Sequence, residues 1–195
     1  PWGRYGCDFG ANAWQPGGGL AVAPAEGLED TFANLEANGI GLVRWFLFCD
    51  GRAGIVFDTD GVPSGLDACV FADIDAALDL AARFGVRLVF SLFDFLWCAR
   101  AEQVDGVQTR GRRRTLARSG SRAALLDRVV APIAERYASD ATIAAWEIIN
   151  EPEWATFGVG TLDPRCSVGR RAMRAFIGEA ASVIHATATQ PVTVG

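Results

Sequence analysis

The stretch Trp146-Glu147-Ile148-Ile149-Asn150-Glu151-Pro152-Glu153-Trp154 changes character in its middle. From Ile143 to Ile149 the residues suit a buried β-strand, and Pro152, which has no N–H, cannot extend a ladder. The strand therefore stops at Asn150-Glu151 and leaves an amide and a carboxylate at the mouth of an apolar strand. That placement suits a catalytic pair. Read in isolation, the same two residues would also serve as a solvated strand end and a turn former beside proline.

Outward from this point, strand and helix signals alternate without a low-complexity linker. Strands are predicted at Gly6 to Asn12, Leu42 to Phe48, Arg87 to Phe93, Ile143 to Ile149 and Pro191 to Gly195. Helices are predicted over Leu28–Asn38, Phe71–Phe84, Arg122–Tyr137 and Ser167–Ala186, from apolar residues at helical spacing and stops such as Asn38-Gly39 and Gly85. Pro132 should kink the third helix. Apolar strands recurring after helices indicate a parallel sheet covered by helices. No GxGxxG follows the first strand, so a dinucleotide fold is disfavoured, and Gly17-Gly18-Gly19 reads as a flexible loop. The long connections follow strands (49–70, 94–121 and 152–166), as in a barrel whose site is built from βα loops.

Asn150-Glu151-Pro152 behind such a strand resembles the acid/base signature of the clan A glycoside hydrolases, which include the cellulase and β-mannanase family five. The resemblance implies a (β/α)8 barrel with its acid/base Glu at the end of strand four. This chain would supply about strands one to five, so residues 1–195 are expected to be the N-terminal portion of one catalytic barrel with no internal boundary. It also implies hydrolysis of a β-linked glucan or mannan with retention of configuration. In that chemistry one carboxylic acid protonates the leaving oxygen and a second carboxylate attacks. Glu151 takes the first role; the second belongs to a strand-seven Glu beyond this chain, so the chain alone is expected to be inactive. A non-catalytic carbohydrate-binding barrel lacking the nucleophile is the alternative. Secretion is expected from the same resemblance.

The resemblance extends to further residues. Asn150 would hydrogen-bond a sugar 2-hydroxyl. Arg44, set among Leu, Val, Trp and Phe, needs a carboxylate partner; relatives place an Arg there to hold the nucleophile, and a structural pair with Glu147 is the competing reading. Asp50 and Asp94 follow strands two and three and are expected to line the cleft, Asp94 standing where many relatives carry a His. Trp14, Trp97 and Trp154 fall in loops after strands, as sugar platforms or as plain packing. Asn12 is a further subsite candidate.

Composition narrows the classes. Half of the 195 residues are hydrophobic, 21% are charged and the net charge is −5. The acidic total disfavours nucleic acid as a partner, and no apolar run approaches the roughly 20 residues of a membrane helix. All 18 basic residues are Arg, which suggests a GC-rich genome. Cys7, Cys49, Cys69, Cys98 and Cys166 form no CxxC pair, and His185 is the lone histidine, so no metal or cofactor site and no hydrolase triad is expected. Cys49 and Cys98 are candidates for a disulfide, with buried free thiols as the alternative. The cluster Arg110, Arg112, Arg113, Arg114, Arg118 and Arg122 reads as a solvated loop or as a contact for an acidic sugar. Starting at Pro1, the chain is expected to be a processed or excised piece. Half a barrel would leave Val192 and Val194 at an open edge and Tyr5, Phe9, Trp45 and Phe90 short of partners, so the rest of the barrel or a second copy is the expected companion.

Overall fold

Residues 6–195 are described by a computed structural model, which places Tyr5 outside the described residues. Helix α1 (Leu28–Ala37) buries Leu28 and Phe32 and ends at Asn38-Gly39. Strand β1 (Leu42–Phe46) is followed by a hairpin of β2 (Ile55–Phe57) and β3 (Pro63–Leu66). Helix α2 (Val70–Arg83) leads to β4 (Arg87–Asp94), and a second hairpin joins β5 (Glu102–Val104) to β6 (Val107–Thr109). Short α3 (Arg113–Ala117) precedes α4 (Ser119–Leu125), a π-helical turn (Leu126–Val130) and α5 (Ala131–Arg136). Strand β7 (Ile143–Asn150), helix α6 (Arg170–His185) and β8 (Val192–Thr193) complete the chain. The π-helical turn lies just ahead of Pro132, where it absorbs the missing N–H and the ring's clash with the preceding turn.

Strands β1, β4, β7 and β8 form one parallel sheet in that order, each joined to the next by a helical crossover. This is part of a (β/α)8 barrel. Trp45, Phe90 and Trp146 lie side by side in register across the sheet. Phe90 stacks on Trp146 at 5.8 Å, and Phe32 of α1 packs 5.9 Å from Trp45. These rings therefore belong to the helix-covered face, which corrects the expectation that Trp45 and Phe90 would lack partners. Phe9 packs on both at 5.5 and 5.8 Å and is fully buried. The opposite face carries Arg44, Ser91 and Glu147. Among the described residues no strand pairs with the outer edges of β1 or β8. Val192 still packs against the core, while Val194 is 39% exposed.

The expected first strand is absent: Gly6–Asn12 forms turns and bends. Gly6 and Gly10 have φ of 73° and 93°, a left-handed backbone that breaks an extended run. A Cβ at Gly10 would lie 2.3 Å from the Gly54 backbone, so the loop needs glycine there. Nor is the Gly17-Gly18-Gly19 segment a free loop. The buried Asp73 carboxylate of α2 accepts hydrogen bonds from the N–H groups of Gly10, Gly19 and Ala21 at 2.8, 2.9 and 2.8 Å. All five cysteines are free thiols, so the Cys49–Cys98 bridge is not formed. Cys49 sits at a left-handed residue with its Sγ against the Phe46 carbonyl, and burial raises both thiols, Cys98 to about 12. No described helix is long and apolar enough to cross a membrane.

Asp73 is the pin between the N-terminal loop and the barrel wall. Asp73→Ala should lower unfolding stability by about 3 kcal/mol or more, because each buried donor left without an acceptor costs roughly 1–3 kcal/mol. Denaturant unfolding of the two proteins measures it; a loss below about 1 kcal/mol would mean the loop is held by other contacts.

Candidate active site

Strand β7 delivers its last residues to the end of the sheet where the long loops gather. Asn150 is 8% exposed, and Glu151 turns out of the strand with φ 46° and ψ 52°. A non-glycine residue in this left-handed region costs on the order of 1 kcal/mol or more, and such strain clusters at functional sites. The turn Pro152–Ala155 follows at once, since Pro152 suits the start of a helical turn and not a strand. Glu151 is thereby exposed one residue beyond a fixed, buried amide.

That amide is held from two sides. Arg44 Nη2 donates to Asn150 Oδ1 at 2.5 Å, and Asn150 Nδ2 donates to Asp94 Oδ2 at 2.8 Å. The second Nδ2 contact, to Glu151 Oε2, is loose at 3.5 Å. Arg44 Nη2 also pairs with Glu147 Oε1, which accepts from Ser91 Oγ at 2.6 Å. Gly195 lies against this pair: a Cβ there would come within 2.6 Å of Arg44 Nη2. Three strands thus contribute to one hydrogen-bonded row, with Arg44 from β1, Ser91 and Asp94 from β4, and Glu147 and Asn150 from β7. Arg44 thus serves both Glu147 and the Asn150 amide.

Asp94 is buried and its carboxyl titrates above the ordinary 3.8. Burial is the main cause; repulsion from Glu151 and Asp50 adds to it, while hydrogen bonds from Leu96 N–H and Asn150 oppose it. Asp50 is equally buried but bound on both oxygens by Arg52, at 2.9 and 2.8 Å, which raises the Arg52 pKa. Both aspartates, expected to line the cleft, are committed to neighbours.

The expected sugar platforms separate. Trp154 is 53% exposed and Trp14 39%, with the Arg52 guanidinium 5.6 Å from the Trp14 ring. Trp97 is fully buried and offers no face. Asp94 caps the turn Phe95–Cys98 through Leu96 N–H, which folds Trp97 under Phe93 at 4.6 Å with its Nε1 donating to Phe48 O. Asn12 is also occupied: its Oδ1 accepts from Trp14 and Gln15 N–H, and its Nδ2 donates to Arg52 O. It shapes the Trp14 loop. Arg52 was not foreseen, although Asp50-Gly51-Arg52 places the two charges within reach.

The electrostatics give a direct check. In carbon-detected carboxyl titrations Asp94 should have its midpoint above 3.8, and Glu151→Gln should move it down by removing a nearby negative charge. Because the folded-state value is raised, the stability linked to this group is fullest at low pH and is lost as pH rises through the Asp94 midpoint. A midpoint at or below 3.8, or one indifferent to Glu151→Gln, would contradict the geometry.

Comparison with known proteins follows the same lines. No family model matches the chain. A mannan endo-1,4-β-mannosidase from Mytilus edulis is 25% identical over 152 residues, which is 78% of this chain and 38% of that protein. One from Cryptopygus antarcticus is 26% identical over 166 residues, covering 84% and 37% respectively. The chain thus spans less than two fifths of the length of these relatives. The solved structure of a β-1,4-D-mannanase from Cryptopygus antarcticus superposes on 98% of this chain and 53% of that one with a TM-score of 0.78 at 19% identity. In sequence and in fold, this chain is similar to the clan A, family-five-like glycoside hydrolases, and it forms part of a (β/α)8 barrel.

Proposed function

We propose that this chain carries the acid/base half of a retaining glycosidase site acting on β-1,4-linked mannan. The observation that carries the reading is Glu151, exposed and left-handed directly after an asparagine whose amide is fixed at both ends. The mannanase relatives favour mannan over glucan. Glu151 protonates the glycosidic oxygen as the bond breaks, then deprotonates the water that releases the product. Arg44 and Asp94 hold the Asn150 amide. Its Nδ2 hydrogen, only loosely engaged with Glu151, is the one a sugar 2-hydroxyl would take as positive charge develops on the ring. Trp154 and Trp14 supply the apolar faces for flanking sugars.

The attacking carboxylate comes from barrel strands outside this chain. Asp50 is bound on both oxygens by Arg52, and Asp94 is engaged by Asn150 and Leu96 N–H, so we read both as positioning groups. The 195 residues alone are then expected to bind sugar weakly and not to hydrolyse it. Since a polysaccharide of this kind does not enter cells intact, the protein is secreted.

With the complete protein, Glu151→Gln should lower turnover of unactivated mannan by about 100-fold or more, the usual worth of a general acid. Aryl mannosides with a very good leaving group should lose less in the first step, because they need no protonation. Near-normal mannan hydrolysis by the variant would remove Glu151 from the mechanism. A wild-type protein that binds mannan without releasing reducing ends would favour a binding module.

A further inference from the structure

The chain is acidic overall, yet residues 100–122 hold seven arginines against two carboxylates, Glu102 and Asp105. Two of the seven are neutralised: Arg122 forks onto Glu179 at 2.7 and 2.9 Å, and Arg110 meets Glu102 at 3.3 Å. Arg100, Arg112, Arg113, Arg114 and Arg118 have no carboxylate partner among the described residues. Arg112 is the telling one. Its guanidinium lies 3.8 Å over the Phe57 ring, its Nε is buried without a hydrogen bond, and burial lowers its pKa. A desolvated cation without a counter-charge is costly, and an arriving anion would remove that cost.

The surroundings are shaped to receive one. Two clefts of about 570 and 660 Å³ share Gly111 and Arg114 as a common wall. The first is lined by Arg100, Arg113, Arg114 and Arg165, and its one carboxylate, Asp163, is already bound by Arg165 at 3.0 Å. The second adds Arg112 and Arg118, with Thr59, Gln108 and Ser121 as uncharged donors and Asp60 as its only acid. This arginine loop follows β4 and adjoins the turn that bears Glu151. Arg112 N–H donates to Trp97 O at 2.6 Å, and the Phe95–Cys98 turn lies against Pro152–Ala155.

We propose that this loop binds an oxyanion, a carboxylate or a sulfate ester, carried on the glycan, so that the preferred substrate is an anionic β-linked polysaccharide. Planar guanidinium forks suit both groups. The inference rests on the glycosidase reading for the sugar and on the arginines for the charge. Nucleic acid is disfavoured, since no exposed aromatics interleave the arginines to stack bases.

Binding of three probes to the complete protein, in a Glu151→Gln background, tests it: β-1,4-mannohexaose, the same hexaose bearing sulfate esters or oxidised to carboxylates at C6, and sodium sulfate. At low salt an anionic hexaose should bind at least about ten-fold more tightly than the neutral one, an advantage that fades as salt screens the charges. Arg114→Ser/Arg118→Ser, both at exposed positions, and Arg112→Ala should each reduce that ratio. Arg114→Lys/Arg118→Lys should keep part of it. Equal affinities for charged and neutral sugars, or a preference unchanged in all the arginine variants, would overturn the proposal. Sodium sulfate binding as tightly as the sulfated hexaose would make this a free-anion site, which also overturns it. Arginine-dependent preference for the anionic hexaose in a protein that cleaves no mannan would uphold the site and count against the glycosidase reading alone.

Discussion

Arg44 donating to Asn150 and Glu147 at once is the contact on which the rest of the candidate site depends. A guanidinium on a β-strand needs an acceptor, and here it finds two on β7, across the intervening β4. The pair with Glu147 and Ser91 fills the open face of the sheet with matched charge and hydrogen bonds. The bond to Asn150 orients an amide whose other end rests on Asp94. Once that amide is fixed, the direction in which the chain leaves β7 is fixed too, and Glu151 is carried outward into a left-handed turn. A polar row of this kind holds geometry more than it adds stability, since removing one member strands the others.

The same logic links the site to its scaffold. The helix-covered face is sealed by rings in register, Trp45, Phe90 and Trp146, and needs no polar partner beyond the indole contacts. That leaves the polar chemistry to the other face and to the loops. Loop after loop is tied down by a side chain that accepts from a residue two positions on: Asp50 from Arg52, Asp94 from Leu96 N–H, Asn12 from Trp14 N–H. Among the described residues at this end of the sheet, Glu151, Trp154 and Trp14 remain exposed.

How much of this was legible follows from which physics governed each element. The parallel alternation and the strand ending at Asn150-Glu151 were readable, because long apolar runs and Pro152 act locally. Arg44 was readable as a group that must have a partner, though not that it would serve Glu147 and Asn150 together. The run Gly6–Asn12 misled, because its aromatic and apolar residues suit a strand while Gly6 and Gly10 adopt left-handed conformations in places where a Cβ would strike Arg52 and Gly54. The β5–β6 hairpin carries a signal in Asp105-Gly106, the turn pair that accepts positive φ at both positions, but its three-residue strands are too short to stand out from the surrounding loop. Trp97 could not be placed from sequence. Whether a loop tryptophan stacks on sugar or folds into the core depends on a short turn capped by Asp94, and tertiary contacts decide that.

A crystal structure of the protein carrying Glu151→Gln, with a β-1,4-manno-oligosaccharide across the site, tests the central claim most directly. The account predicts the residue-151 side chain within about 2.6–3.2 Å of a glycosidic oxygen, with Asn150 Nδ2 on the adjoining 2-hydroxyl and still anchored to Asp94. A sugar bound with no glycosidic oxygen within reach of residue 151, or an Asn150 amide released from both Arg44 and Asp94, would contradict it.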